Sequence, residues 1–173
     1  MIKSINFYCT LTELFNQTLC KLLEKCYSTS LNTITLVDEK KTEEAINNTL
    51  WSFSSTSFIP HGCSIDPEPS SQPIYITTNY ENPNQAKILV LVILSYNCCN
   101  ADYDNNISYF QQFERILIIF KENDNKLIDY MNNYYHRLKQ DGYLPSYFKQ
   151  KQQNKNKQAQ WQLLTDELIK INS

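Results

Sequence analysis

An α/β domain of three layers, with a mostly parallel central sheet flanked by helices, is the fold class this sequence predicts. Three observations carry that expectation. Stretches of helical hydrophobic period alternate with short β-branched runs from the start of the chain to Gly142. Two of those runs, Ile88–Leu94 and Ile116–Phe120, are apolar without alternation, the pattern of strands covered on both faces. The composition, 42% hydrophobic and 13% aromatic over 173 residues, supplies the apolar surface for one packed core.

Ile5 to Tyr8 opens the chain as a short strand. Leu11, Phe15, Leu19, Leu22, Leu23 and Cys26 then recur at spacings of three and four, an amphipathic helix ending near Ser28 to Asn32. Ile34 to Val37 is a second strand. Thr42, Ala45, Ile46, Thr49 and Leu50 mark a second helix, with Glu43 and Glu44 favourably placed near its positive end. Residues 66–73 carry Pro67, Pro69 and Pro73 and form a loop, and Ile74 to Thr77 is a candidate edge strand. After the two buried strands, Asp124 caps a long helix with Leu127, Met131, Tyr134 and Leu138 on one stripe and Gly142 as its stop. Residues 1–148 are thus the α/β domain. Residues 149–173 read as a polar Lys- and Gln-rich linker followed by a C-terminal amphipathic helix, with Trp161, Leu164, Leu168 and Ile171 at helical spacing.

Composition also excludes function classes. The two glycines, Gly62 and Gly142, are far apart, whereas a phosphate-cradling loop needs several close together. Sixteen Lys+Arg against 18 Asp+Glu leave a net charge of −2, so no global field draws in DNA or an anionic membrane; Lys149, Lys151, Lys155 and Lys157 are a local exception. The longest apolar run, Ile88 to Leu94, falls well short of a membrane span, and no secretory leader is evident. Six cysteines without a C-x-x-C, and two distant histidines, predict core thiols in a cytosolic protein, with no metal and no cofactor.

Two segments carry the functional content. From Ala45 to Ile65 there is no charged residue, yet Trp51, Phe53, Phe58, Ile59 and Pro60 crowd into the stretch. Charge depletion with aromatics is the composition of an interface core, and equally of a loop folded over its own sheet. His61 beside Pro60 suits a structural hydrogen bond better than catalysis, because the sequence supplies it no catalytic partner. The second segment is the helix from Asp124, whose non-core side carries Ile128, Asn132, Tyr135, His136, Arg137 and Lys139. Such a face can grip an acidic peptide ending in an apolar side chain, or can simply be solvated. The pairs Asp38/Glu39, Asp66/Glu68 and Asp102/Asp104 raise a rival reading, a small Mg²⁺-dependent nuclease using Asp38, Asp66 or Asp102.

Taken in order, the opening Ile5-Asn6-Phe7-Tyr8, the Leu50-Trp51 helix end followed by Ser57-Phe58-Ile59-Pro60-His61-Gly62, and Phe113-Glu114-Arg115 leading to Tyr134-Tyr135-His136-Arg137 and Gly142-Tyr143 resemble the chi subunit family of bacterial DNA polymerase III, over most of residues 2–143. The resemblance implies a non-catalytic replication accessory protein of the clamp-loader complex, cytoplasmic and associated with the replisome at the nucleoid. It implies one surface for the psi subunit, or for a repair helicase, at Trp51, Phe58 and Pro60 with Ile59 between them. It implies a second surface for the acidic C-terminal tail of single-stranded-DNA-binding protein at Tyr135, His136, Arg137 and Lys139, with DNA approached mainly indirectly. Ile128, Asn132 and His136 stand where the family is more basic, so weaker, salt-sensitive tail binding is expected.

Overall fold

A computed structural model describes residues 1–53, 58–99, 107–152 and 159–169. The chain enters through β1 (Ser4–Thr10), makes a 3-10 turn at Thr12–Leu14 and continues as α1 (Phe15–Ser28). β2 (Thr33–Leu36), α2 (Lys40–Ser52), the two-residue β3 (Gly62–Cys63), β4 (Ile74–Thr77) and β5 (Ile88–Ile93) follow. A short α3 (Ile107–Phe110), β6 (Arg115–Lys121), α4 (Asn125–Gln140), β7 (Ser146–Gln152), β8 (Ala159–Leu164) and a 3-10 turn at Asp166–Leu168 complete it. The eight strands form one sheet in the order β3-β4-β2-β5-β6-β1-β7-β8. Every pairing is parallel except β7 with β8.

Alternation along the strands divides the core in two. On β5, Leu89, Leu91 and Ile93 point to the layer holding α4, with Leu127, Met131 and Leu138. Ile88, Val90 and Val92 point the other way, to Leu19, Leu23, Ile46 and Leu50 of α1 and α2. Both faces are therefore covered and the architecture is the three-layer α/β domain expected. Among the described residues, no helix is long and apolar enough to cross a membrane. Cys9, Cys20, Cys26 and Cys63 are free and buried, and burial raises the Cys9 thiol to about 12 and those of Cys20 and Cys26 to about 11.

The ends of α4 are fixed as their residues dictate. Asp124 accepts from Leu127 N at 3.1 Å and, through its other oxygen, from Tyr96 N at 3.0 Å. These backbone donors, Tyr96 first, hold its carboxyl below the ordinary carboxylate range. At the other end Gly142 N donates to Lys139 O and Tyr143 N to Leu138 O, the paired bonds of a Schellman stop, with Gly142 at φ +89°. A Cβ at Gly142 would meet nothing within 4 Å, so the cost of alanine there is backbone strain alone. Gly142→Ala is expected to lower stability by about 1 kcal/mol in urea denaturation; an unchanged midpoint would show that the turn readjusts freely.

Two expectations fail. Ile74–Thr77 is not an edge strand, because β3 pairs with it through Gly62 and Cys63, a strand too short to leave a pattern. The C-terminal part is not a linker running into a helix: Ser146–Gln152 and Ala159–Leu164 pair antiparallel, from Tyr147↔Leu164 to Gln152↔Ala159. Residues 170–173, including the expected helix residue Ile171, lie outside the described residues. Polar residues extend the sheet because they find partners. Gln150, 5% exposed, accepts from Leu11 N at 3.1 Å and donates to Thr18 Oγ1 at 2.9 Å. Tyr8 stacks on Phe148 at 5.4 Å and meets the edge of Trp161 at 5.4 Å, tying the hairpin to β1.

Candidate protein-docking surfaces

The first surface grows from the end of α2. Ile46 and Leu50 face inward, and Trp51, about 100° further round the helix, is turned out and 61% exposed. Phe58 is 64% exposed, its ring 5.6 Å from that of Trp51. Pro60 is partly exposed. Ile59 departs from the expectation: at 2% exposure it is a core residue that pins the segment to the α1 and α2 layer and cannot itself meet a partner. His61, 8% exposed, donates through Nδ1 to Ile59 O at 2.7 Å and lies 5.1 Å from the Trp51 ring. It is the structural hydrogen bond anticipated beside Pro60.

A buried carboxylate stiffens this platform. Glu43, 2% exposed, accepts from Ser64 N at 2.8 Å and from the Ser64 hydroxyl, while its other oxygen takes Lys40 Nζ at 3.0 Å. α2 is thereby locked to the turn after β3. Two large rings stand outside on a support tied down by that carboxylate, an arrangement suited to filling a partner's apolar pockets.

The second surface is on the opposite layer. Tyr135, expected on the non-core side, instead takes the buried position expected of Tyr134: it packs against Phe7 and Tyr147, with centroids 5.9 Å away in each case, and its hydroxyl donates to Asp166 Oδ1 at 3.0 Å. Lys139 forms an ion pair with the same carboxylate. His136 donates through Nε2 to Ile169 O at 2.8 Å. Burial, then the Asp166 carboxylate, pushes the Tyr135 phenol up to about 12, and Lys139, then Tyr135, holds the Asp166 carboxyl below the ordinary range. Tyr135, His136 and Lys139 are thus brought together. Arg137 is not with them: it lies over the Tyr134 ring at 5.1 Å and lines a separate hollow of about 320 Å³ with Ile2, Phe110 and Tyr143.

Where the resemblance implies cations on α4 but Ile128 and Asn132 stand, β7 brings up Lys149 and Lys151, residues expected in a linker. A hollow of about 230 Å³ between α4 and the hairpin is lined by Ile128, Asn132, Lys149, Lys151, Gln162 and Leu168. The signal was present in the alternation Tyr147, Lys149, Lys151, which puts all three on one side of a strand. An apolar floor beside two ammonium groups can take a carboxylate next to an apolar side chain.

Of the nuclease carboxylates, Asp66 is committed to its own turn, accepting from Cys63 N at 2.8 Å, and Asp102 lies outside the described residues. Among the described residues, no three His, Cys, Asp or Glu side chains gather where they could hold a metal ion.

Comparisons with known proteins bear on the fold and on the family. The C-terminal domain of the DEAD-box protein Dbp5 superposes with a TM-score of 0.55 over 86% of this chain and 90% of that one, at 16% identity, a likeness of fold alone. A Rickettsia prowazekii (strain Madrid E) protein described as a probable DNA polymerase III subunit chi is 35% identical over 138 residues, covering 77% of this chain and 80% of the relative. Residues 2–146 match the family model described as DNA polymerase III chi subunit, HolC, a span that includes β1 to α4 and both helical layers. With that match over most of its length, the chain belongs to the DNA polymerase III chi subunit family, accessory and non-catalytic subunits of a DNA-replication enzyme.

Proposed function

We propose that this subunit is a tether within the clamp-loader part of the polymerase, holding it to single-stranded DNA that is already coated by single-stranded-DNA-binding protein. The observation that supports this most is the placing of two chemically different docking surfaces on opposite layers of one sheet. The exposed Trp51–Phe58 pair, flanked by Pro60, suits an apolar partner, the psi subunit; a repair helicase would use the same rings. The cationic side of α4 and β7 suits an acidic tail. Opposite layers allow both partners to be held at once, and linkage then raises each one's effective concentration for the other even where each contact is weak. DNA is reached through the coated strand rather than by this chain, in the bacterial cytoplasm.

The test is binding to single-stranded-DNA-binding protein with and without its last few residues. Binding is expected to vanish with the tail and to weaken steeply between low and moderate salt, since exposed ion pairs are screened. Charge reversal at Lys149 should lower affinity for the tail peptide about fivefold, in keeping with about 0.5–1 kcal/mol for a partly exposed charge contact. Binding that survives tail removal would refute the tether.

A further inference from the structure

We infer that the chain carries its own occupant of the α4 surface: the segment Asp166–Ile169 is a resident mimic of the acidic peptide, and a partner must displace it. The inference rests on the tail-docking reading of that surface and adds its regulation.

Three of the four α4 residues expected to hold an acidic tail, all but Arg137, are already engaged. The Asp166 carboxylate takes the Tyr135 hydroxyl at 3.0 Å and the Lys139 ammonium, and the Ile169 carbonyl takes the His136 ring N–H at 2.8 Å. Three residues beyond the acid, the Ile169 side chain is 2% exposed and packed into the same core cluster as Tyr135 and Leu138. An acid followed by an apolar anchor is the chemistry the surface would select in a partner. A 3-10 turn presents both, closed by Leu168 N to Thr165 O at 2.9 Å and Ile169 N to Asp166 O at 3.2 Å.

The polar part of the occupant's hold is open to competition. Its ion pair is half in water, with side-chain exposures of 35% for Lys139 and 53% for Asp166, so that contact is weak and screened, and the buried Ile169 supplies the apolar part of the hold. β8 delivers it directly from the sheet edge, which makes its return intramolecular and sets a high effective concentration against any free peptide. It lies beyond residue 146, where the family match ends, so the latch belongs to this chain's C-terminal hairpin. An external peptide therefore binds with its intrinsic affinity reduced by the fraction of molecules in which the latch is closed.

The experiment uses the full chain and a fluorescein-labelled peptide of the acidic C-terminal tail of single-stranded-DNA-binding protein. Asp166→Asn removes the charge that Lys139 holds without altering size, and anisotropy titrations should show the variant binding about five- to tenfold more tightly than wild type. Equal or weaker binding by the variant, with wild type still binding, overturns the latch and leaves the tail-docking reading intact. Failure of both to bind overturns that reading and the latch with it. A second measurement does not depend on the variant's folding. Saturating peptide added to wild type should strip hydrogen-exchange protection from the Leu168 and Ile169 amides, whereas retained protection there overturns the proposal.

Discussion

Alanine at Trp51 and Phe58 together is expected to weaken binding of the proposed psi partner at least a hundredfold while moving the melting temperature by no more than a few degrees. Both rings are more than half exposed, so truncating them removes little of what the fold buries. At an interface the balance reverses, because large aromatics seated in a partner's pockets commonly contribute about 2 kcal/mol or more each. The loss at Trp51 extends beyond its own area, since its ring also supports Phe58 at 5.6 Å and covers His61 at 5.1 Å. Ile59→Ala is the internal contrast. Ile59 is 2% exposed, so its truncation should cost about 2–5 kcal/mol of stability and affect binding through the fold. Calorimetric titration of psi together with thermal melts separates the two. Unchanged affinity in the double variant would overturn the proposed psi surface at the end of α2.

How far the residues disclosed this arrangement in advance depends on what each element must bury. β5 and β6 are central, so both faces are apolar and Ile88–Leu94 and Ile116–Phe120 announce themselves. α1, α2 and α4 each bury one stripe, and Asp124 and Gly142 mark the limits of the last through a side-chain cap and a left-handed turn. The hairpin β7–β8 lies at the sheet edge and has no such obligation. Its Lys and Gln composition resembles a linker because the strand offers ammonium groups to one side and a bonded Gln150 to the other. The spacing of Trp161, Leu164 and Leu168 fits a helix as well as it fits a strand followed by a turn, and cross-strand pairing with Lys149 and Gln150 decided for the strand.

The surfaces were legible to the same degree. Helical geometry spaces residues about 100° apart, which puts Tyr135, His136 and Lys139 within one arc and carries Arg137 to about 200° from Tyr135, where it meets Tyr134 instead. Composition between Ala45 and Ile65 could not separate an interface from a self-covering loop, because both are uncharged and aromatic. Exposure sorts the residues themselves: Trp51 and Phe58 out, Ile59 in. The segment that occupies α4 was beyond prediction from spacing alone, since the contact of Asp166 with Lys139 depends on the hairpin that returns the chain to that helix.

The other large effect is expected in the core beneath that helix. Phe7, on β1, is 0% exposed; it stacks on Tyr147 at 5.6 Å and meets the edges of Tyr134 and Tyr135 at 5.9 Å each. One ring therefore joins the sheet, α4 and the C-terminal hairpin. Phe7→Ala removes that junction and leaves a cavity walled by three tyrosines whose positions are set elsewhere, Tyr147 by pairing with β1 and β8, and Tyr134 and Tyr135 by the capped helix. Limited collapse places the cost toward the upper part of the range of about 3–5 kcal/mol for such truncations. That is a large share of the roughly 5–15 kcal/mol by which domains are stable, so the urea midpoint should fall markedly. Met131→Leu nearby, which conserves volume on the same buried stripe, should cost less than about 1.5 kcal/mol. The Phe7 variant should also lose near-ultraviolet tyrosine dichroism in the folded baseline, because Tyr135 and Tyr147 lose their shared neighbour. A cost below about 2 kcal/mol with that signal intact would mean that α4 can settle onto the sheet without the ring, and that its docking surface is set by the helix caps alone.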